Sequence, residues 1–315
     1  MLANLKALLP YMRRHRGRYV LGLLSLFLAS GSQLLIPWRI QVAVDQIASG
    51  RFRLEDIAMI GLSIVGVALL TVAGRLGWRY WIHGAARRIE GEVRSDLFRH
   101  LSRQSPAFFA RNTIGDLMAR STNDLMQVRM ASSMGLVAAA DATVTAIVIF
   151  AILLTQYSSV ALWVLIPLPF VSLVIFGLGR LIGPLFGKVQ ASFSEMSRQA
   201  QEVFSGSRVV KSFHKEAWFT RRFGEASRLY QKRNISLVMT WGMMFPLVTF
   251  LSGLTALLLL VFGGRAVIFG GLTVGGFVAV SYYLDQLTWP MIGAGFTVNI
   301  LQRGSASMGR ISDIM

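Results

Sequence analysis

Six long apolar stretches constrain this chain more than any other feature of its 315-residue sequence. They cover residues 19–38, 57–74, 131–154, 160–178, 237–262 and 274–296. A helix needs about 20 apolar residues to cross the ~30 Å hydrocarbon core of a bilayer, and each stretch comes close to that length. A soluble core does not require so many long runs without alternation. The sequence therefore predicts an all-α, polytopic membrane protein with six transmembrane helices.

The charge of the chain predicts its orientation in the membrane. The sequence carries 32 Lys and Arg against 15 Asp and Glu, a formal net charge of +17. All basic residues except Arg39, Arg51, Arg53 and Arg265 lie before the first stretch, in the two long connections or after the sixth stretch. Because cytoplasmic segments are enriched in Lys and Arg, we expect both termini and both long connections in the cytoplasm. We also expect the stretches to lie in a bacterial inner (plasma) membrane.

Composition and motif content exclude several other functions. Basic residues are interleaved with acidic ones and form no run with aromatic residues, so nucleic acid is not predicted as a partner. The chain has no Cys, and its four His are scattered, so no metal site is predicted. It contains no phosphate-binding G-x-x-x-x-G-K-[ST] string and no pairing of a nucleophile with a base. We expect this chain alone to have no enzymatic activity and to hold no cofactor.

The connections between the stretches alternate in length. The outer ones are short, whereas the inner ones, at residues 75–130 and 180–236, are long and keep helical periodicity with few breakers. We therefore expect two helical hairpins that extend into the cytoplasm, each ending in a tip. Residues 1–315 would then form one membrane domain with long helical extensions on its inner side.

The residues ahead of the first stretch predict a separate short element. Four leucines among residues 2–9 share one face of a helix, and Pro10 follows as a helix breaker. An amphipathic segment beside a membrane span is typical of a helix that lies in the bilayer interface. Residues 1–18 are expected to be such an interfacial helix.

Strings in the two long connections carry a resemblance to a known family. The first is FF at residues 108–109, followed by GDLxxRxxxDxxxV at residues 115–128; the second is QExxSGxRVVKxF at residues 201–213. In this order and spacing, with six stretches and short outer loops, they resemble the transmembrane domain of ABC exporters of the lipid and multidrug flippase type. Residues 8–11 look like that family's elbow helix, and residues 303–315 resemble the start of its linker to an ATP-binding domain.

The resemblance implies that each hairpin tip is a coupling helix that docks on an ATP-binding domain. It assigns Ile114, Gly115, Asp116, Leu117, Arg120 and Asp124 to the first tip, and Lys215, Glu216, Ala217, Trp218 and Phe219 to the second. Gly115 is expected to permit a tight turn and Asp116 to cap the short helix, although an ordinary capped turn would use the same residues. Trp218 and Phe219 favour a docking surface, although packing within the hairpin would also explain them.

Ionisable residues inside a membrane are costly and by default face a bundle interior or a wet cavity. The candidates for a substrate cavity are Asp141, Met243, Tyr282, Asp285, Gln286 and Trp289. The polar and aromatic residues around Asp285 could contact an amphipathic ligand by stacking and hydrogen bonding. For Asp141 and Asp285 a polar contact that holds the bundle is the alternative, and for Met243 it is the filling of a core.

The resemblance implies the substrate-translocating half of an ATP-driven exporter that works by alternating access. The sequence stops inside the linker-like residues, so we expect ATP and Mg²⁺ on an ATP-binding domain that is absent from this sequence or forms a separate chain. A second transmembrane half would complete a domain-swapped homo- or heterodimer that exports or flips a lipid, drug or peptide. Two alternatives remain open: a proton-coupled transporter of the same fold, with Asp141 and Asp285 as proton carriers, and a non-transporting membrane scaffold.

Overall fold

The computed structural model describes residues 3–50 and 53–315, apart from the side chains of residues 3, 288, 289, 291, 292 and 294. The described residues form helices and contain no strand. A 3₁₀ turn, Ala3–Leu8, opens the chain. The helices that follow are α1 Leu9–Arg14, α2 Arg16–Ala48, α3 Leu54–Leu101, α4 Pro106–Arg111, α5 Ile114–Gln156, α6 Ser158–Ser205, α7 Ser207–Ser212, α8 Glu216–Ile268 and α9 Val274–Ser312.

Five of the helices in the described part of the chain are long and apolar enough to cross a membrane: α2, α3, α5, α6 and α8. The predicted all-α polytopic fold is thereby confirmed. The sixth apolar stretch lies inside α9, a continuous 39-residue helix, and its crossing of the membrane stays a prediction. Helix α3 has 48 residues, which makes it about 72 Å long at 1.5 Å per residue. It is therefore far longer than its apolar stretch requires.

In the part of the chain that the structure describes, four π-helical turns interrupt the long helices. They are Arg79–His83 in α3, Arg120–Asp124 and Ala131–Gly135 in α5, and Leu259–Gly263 in α8. Each such turn carries one more residue than an α-helical turn and therefore rotates the helix face that follows it. No sequence pattern in the chain predicted them.

The chain divides into two compact units. The first runs up to Leu165 and resumes at Ala256, and the second is Ile166–Thr255. In the first unit α2 packs along α3, and α9 packs against α2 and α5. A buried apolar cluster lies at the predicted cytoplasmic end of this unit and includes Tyr19, Ile82, Ile89, Val128 and Ile311.

The N-terminal segment is part of that cluster. Leu8 is only 2% exposed and packs with residues of α3 and of the end of α9. Leu9 is 46% exposed, so the leucines do not all share one environment. The prediction that Pro10 breaks the helix is wrong, because Pro10 lies in the first turn of α1, where its missing N–H is not needed. A location of this segment in the bilayer interface stays a prediction.

The opposite end of the first unit is fastened by hydrogen bonds from α2. Asp45 accepts bonds from the Thr273 hydroxyl at 2.9 Å and the Gly275 N–H at 2.7 Å. The Thr273 hydroxyl also accepts a bond from the N–H of Gly276 and so caps α9. The buried Tyr283 hydroxyl donates to the Leu34 carbonyl at 3.0 Å. Together these bonds fix the start of α9 along the end of α2.

The second unit is an antiparallel pair formed by α6 and the first part of α8. Arg233 of α8 donates to the Lys188 carbonyl and to the Ser192 hydroxyl of α6, the latter at 2.7 Å. The rings of Phe193 and Tyr230 lie 5.8 Å apart. The part of α8 from Glu216 to Gly242 buries no residue.

Close approach of α9 and α5 depends on a glycine. A Cβ on Gly304 would lie 2.2 Å from the Cβ of Ala131, a distance that requires one helix to shift. We predict that Gly304→Ala destabilises the fold by about 1–3 kcal/mol through overpacking and lowers the apparent melting temperature of the chain in detergent. The matched control is Gly66→Ala in α3, where a Cβ would meet nothing within 4 Å. Equal melting temperatures for the two variants would contradict the assignment.

Candidate functional site

The first hairpin tip is the start of α5. Thr113 is the N-cap, and its hydroxyl accepts a bond from the Asp116 N–H at 3.3 Å. The prediction that Asp116 caps this helix is therefore wrong. Asp116 lies in the first turn, where a carboxylate is favoured by the helix dipole, and pairs with Arg120 at 2.8 Å. Gly115 is also in the first turn and has no positive φ, so the tight turn expected there is wrong as well.

The tip has a buried face and an exposed face. Leu117 is 5% exposed and packs with Leu97 of α3 and Ile314 after α9. Ile114 and Met118 are 74% and 58% exposed. Exposed apolar residues beside a firmly packed one provide a surface on which another protein can dock.

The remaining two residues of the first set contact α9. The Arg120 guanidinium donates to the Arg310 carbonyl at 2.5 Å. Asp124, 7% exposed, accepts two bonds from the Arg310 guanidinium and one from the Ser307 hydroxyl at 2.9 Å. These residues therefore attach the tip to the end of α9. Sequence reasoning missed Ser307 and Arg310 as members of this cluster, although both lie in the linker-like residues 303–315.

The electrostatics of this cluster follow from the Arg310–Asp124 pair. Asp124 lies before the apolar stretch 131–154, outside the predicted span. Hydrogen bonds from Arg310 lower the pKa of the Asp124 carboxyl below its usual value, despite its burial, and raise the pKa of Arg310 further. A carboxyl with a depressed pKa in the folded state stabilises the fold above its unfolded pKa, and this contribution is lost as the pH falls through the folded pKa.

The second tip joins α7 to α8. His214 has a φ of +48°, and α8 begins at Glu216. Lys215, Glu216 and Ala217 are exposed. Trp218 is 52% exposed and contacts the ring of Phe219 edge-on at 4.7 Å between centroids. The Trp218 ring also lies under the Arg222 guanidinium. In its own unit, Trp218 thus presents half of its surface to the outside.

Three of the cavity candidates share one face of α9. Tyr282, Asp285 and Gln286 follow each other at helical spacing; Tyr282 is 47% exposed, Asp285 is exposed and Gln286 is partly exposed. The neighbouring Tyr283 and Leu287 are buried, so the opposite face carries the packing. The side chain of Trp289 lies outside the described residues.

The other two candidates lie elsewhere. Asp141 of α5 accepts a hydrogen bond from Ser30 of α2 at 2.5 Å, a polar contact between two helices of the first unit. Met243 belongs to the second unit, where it is 56% exposed at a turn within α8. Among the described residues, no group of three or more His, Asp or Glu could hold a metal ion.

Long apolar helices with packed extensions and exposed tips define a polytopic helical membrane protein. The sequence profile of the ABC transporter transmembrane region matches residues 19–291. The chain belongs to this family, which confirms the resemblance.

Proteins similar to the chain have names that refer to ATP binding and drug resistance. It is 30% identical to the multidrug resistance-like ATP-binding protein MdlA of Escherichia coli over 96% of the chain and 51% of that protein. It is 29% identical to YheI of Bacillus subtilis, a probable multidrug resistance ABC transporter ATP-binding/permease protein, over 100% of the chain and 54% of that protein. It is 24% identical to an ATP-dependent lipid A-core flippase of Syntrophus aciditrophicus over 98% of the chain and 51% of that protein. The chain spans about half the length of these curated relatives.

The link between the tip and α9 leads to a prediction. Asp124→Asn should destabilise the fold by about 1–2 kcal/mol, at the low end for charged hydrogen bonds because Arg310 is half exposed. The wild type should lose this contribution as the pH falls below about 4, whereas the variant should lack this component of the pH dependence. Melting temperatures between pH 3 and pH 7 measure both effects.

The control for this prediction is Arg198→Gln, which removes the exposed pair with Glu195 in α6 and should leave the melting temperature unchanged. Arg310→Gln and the double variant complete a thermodynamic cycle. Additive effects of the two single substitutions would show that Asp124 and Arg310 do not interact.

Proposed function

We propose that the chain is the substrate-translocating membrane part of an ATP-driven exporter that works by alternating access. One observation carries this proposal: the first tip exposes Ile114 and Met118 on one side, while Asp124 ties the same segment to α9 on the other. A partner that moved this tip would also move the end of α9. Rigid movement of helix bundles of this kind alternates access to a central path in other transporters.

The proposed source of energy for transport is an ATP-binding domain, which would hold ATP and Mg²⁺ outside these residues. It would seat the first tip through Ile114 and Met118 and the second through Trp218. Support comes from the ATP-binding names of relatives that are about twice the length of the match. The chain itself would then contribute the path and no catalytic residue.

The proposed assembly is a domain-swapped dimer, either homo- or heteromeric, embedded in an inner membrane with both termini in the cytoplasm. Large apolar residues of the second unit are exposed within that unit, including Phe170, Phe186, Phe204, Met239 and Phe245. Those near the apolar stretches suit lipid, whereas Phe204 lies beyond them and suits a second membrane half. The excess of Lys and Arg at the inner ends supports the orientation.

The proposed substrates are amphipathic molecules. Relatives have names that refer to multidrug resistance and to lipid A-core flipping, and both descriptions suit a path with apolar and polar surfaces. The α9 face with Tyr282, Asp285 and Gln286 would provide such a surface, with an aromatic ring, a carboxylate and an amide along one line.

Docking of the tips is tested by truncation of their exposed side chains. In inside-out vesicles that contain the chain with its ATP-binding domain, Ile114→Ala and Trp218→Ala should each lower ATP-dependent ethidium uptake at least tenfold, since loss of an interface hot spot costs ~2 kcal/mol. The matched control is Leu54→Ala, an 83% exposed residue at the outer start of α3, which should retain uptake.

Two outcomes would overturn this assignment. Unchanged uptake in both tip variants would remove the docking role. Uptake that a protonophore abolishes in the presence of ATP, and that persists without ATP, would select proton coupling instead. In that case Asp285→Asn, which cannot carry a proton, should be inactive.

The role of the α9 face is tested by comparing the uptake of ligands that differ in charge. Tyr282→Ala should weaken uptake of a lipophilic cation about two- to fivefold relative to a neutral dye, because the aromatic ring and the nearby carboxylate both favour positive charge. Val298→Ala, 53% exposed on another side of α9, is the control. An equal decrease in the uptake of both dyes by the Tyr282→Ala variant would indicate that Tyr282 has a structural role and does not contact the ligand.

A further inference from the structure

A cleft of about 700 Å³ opens between the N-terminal segment and the extended part of α3. Arg14 and His15 form one wall. The other wall is one face of α3 that includes Arg88, Gly91 and Arg99. A Cβ on Gly91 would meet no atom within 4 Å, so the middle of the cleft is open. Neither the hairpin tips nor the α9 face includes any of these residues.

The acidic residues of the cleft already have partners. Glu92 contacts His15 at 2.8 Å through one carboxylate oxygen, and its other oxygen, which is buried and accepts no hydrogen bond from the described residues, lies 3.6 Å from the Arg14 guanidinium. Asp96 accepts a hydrogen bond from the Tyr11 hydroxyl at 3.0 Å and pairs with Arg99 at 3.3 Å. Burial, with a smaller effect of this hydrogen bond, raises the pKa of the Tyr11 phenol, so Tyr11 keeps its proton and donates the hydrogen bond to Asp96.

The basic residues of the cleft are less fully paired than the acidic ones. Arg88 is exposed and has no acidic partner within salt-bridge distance among residues 3–50 and 53–315. The side chains of Arg14 and Arg99 are each 64% exposed, so guanidinium N–H groups remain available. Arg13 and Arg16 flank Arg14 and are also exposed. The cleft therefore keeps a positive surface despite its two carboxylates.

The position of the cleft along α3 brings Arg88 close to the membrane. Trp78, Tyr80 and Trp81 precede it, and aromatic residues of this kind mark the boundary between bilayer and water. Arg18, at the start of α2, lies 5.9 Å from the Trp81 ring. Arg88 follows Trp81 by about 10 Å along the helix. Its side chain tilts back towards the helix N-terminus, which is the membrane side of α3.

The surface on the membrane side of the cleft is apolar. Leu76 and Tyr80, in the turns of α3 before the cleft, are 60% and 67% exposed. Acyl chains can lie along such a surface while a headgroup reaches the arginines below it. A soluble phosphate compound would use the arginines but leave this apolar surface bare.

From this arrangement we propose that the cleft binds the phosphate headgroup of an anionic glycerophospholipid of the inner leaflet. Arg14 and Arg88 hold the phosphate by charged hydrogen bonds, since guanidinium groups match phosphate oxygens in pairs. Gly91 leaves room for the headgroup. The bound lipid would fix the N-terminal segment against α3. This site is independent of the proposed ATP-driven transport.

Native mass spectrometry of the full chain in detergent tests the site directly. The probes are phosphatidylglycerol and phosphatidylcholine with identical acyl chains, added separately. The wild type should bind phosphatidylglycerol with clear preference. The double variant Arg14→Gln/Arg88→Gln should lose about 30-fold in affinity for phosphatidylglycerol, at ~1 kcal/mol or about fivefold per charge, and little for phosphatidylcholine.

The matched control removes the same charge elsewhere. The variant Arg111→Gln/Arg208→Gln changes residues of α4 and α7 that do not line the cleft; it should keep the preference for phosphatidylglycerol. The single variant Arg88→Gln breaks no ion pair, so it should fold normally, which its melting temperature will show. It should lose about fivefold in affinity for phosphatidylglycerol.

The outcomes separate three cases. Loss of preference in the cleft variants alone supports the proposal. Equal loss in the Arg111→Gln/Arg208→Gln control, or unchanged preference in the cleft variants, overturns it. Competition by glycerol 3-phosphate or inorganic phosphate at concentrations similar to that of the lipid would also overturn it, because the ligand would then be a soluble phosphate.

Discussion

The structure depends on one constraint: backbone N–H and C=O groups in hydrocarbon must bond within their own segment. Six apolar stretches leave the chain only helices as a solution, and helix growth, once started, adds a bond for each further residue. The helices therefore continue past the apolar residues until a breaker stops them. Helix α6 ends at Ser205 before Gly206, and α3 ends at Leu101 before the Ser105–Pro106 turn. The long helical segments beyond the apolar stretches are thus extensions of the membrane helices.

Helix α9 is held at both ends by a carboxylate from another helix. Asp45 of α2 holds its first turn, and Asp124 of α5 holds its last turns. Between these two points lies the face with Tyr282 and Asp285. A helix fixed at both ends moves with its neighbours or bends between them, and either motion would alter the surroundings of that face.

Much of the fold was predictable because its causes are local. Apolar length and the absence of breakers predicted the long helices. The side-chain partners were not predictable in the same way, because they join residues far apart in sequence: Asp124 meets Arg310, and Asp141 meets Ser30. The cap at the first tip was wrongly given to Asp116 because the helix starts three residues earlier, after Thr113, and backbone geometry decides where a helix starts.

The candidate site shows the same division. The exposure of Ile114 and Trp218 agrees with the hairpin tips that were predicted from the family-like sequence strings. The attachment of Arg120 and Asp124 to α9 was not predictable from a contiguous string, because α9 lies far away in the sequence. The α9 face could be predicted because positions 282, 285 and 286 obey helical spacing. The cleft at Arg88 was missed since it needs the N-terminal segment to fold back onto α3, a contact between residues more than seventy positions apart.

The two π-helical turns of α5 have a consequence for deletions in this chain. Each holds one surplus residue, so a single-residue deletion there would leave a regular helix of almost the same length. Yet the deletion would rotate one part of α5 against the other by about 100°. Deleting a residue in the turn at Ala131–Gly135 would rotate Asp124 relative to Asp141 about the helix axis. One of the two carboxylates would then lose its hydrogen-bond partner. A deletion in this turn should therefore disturb the packing of α5 more than a substitution at the same place.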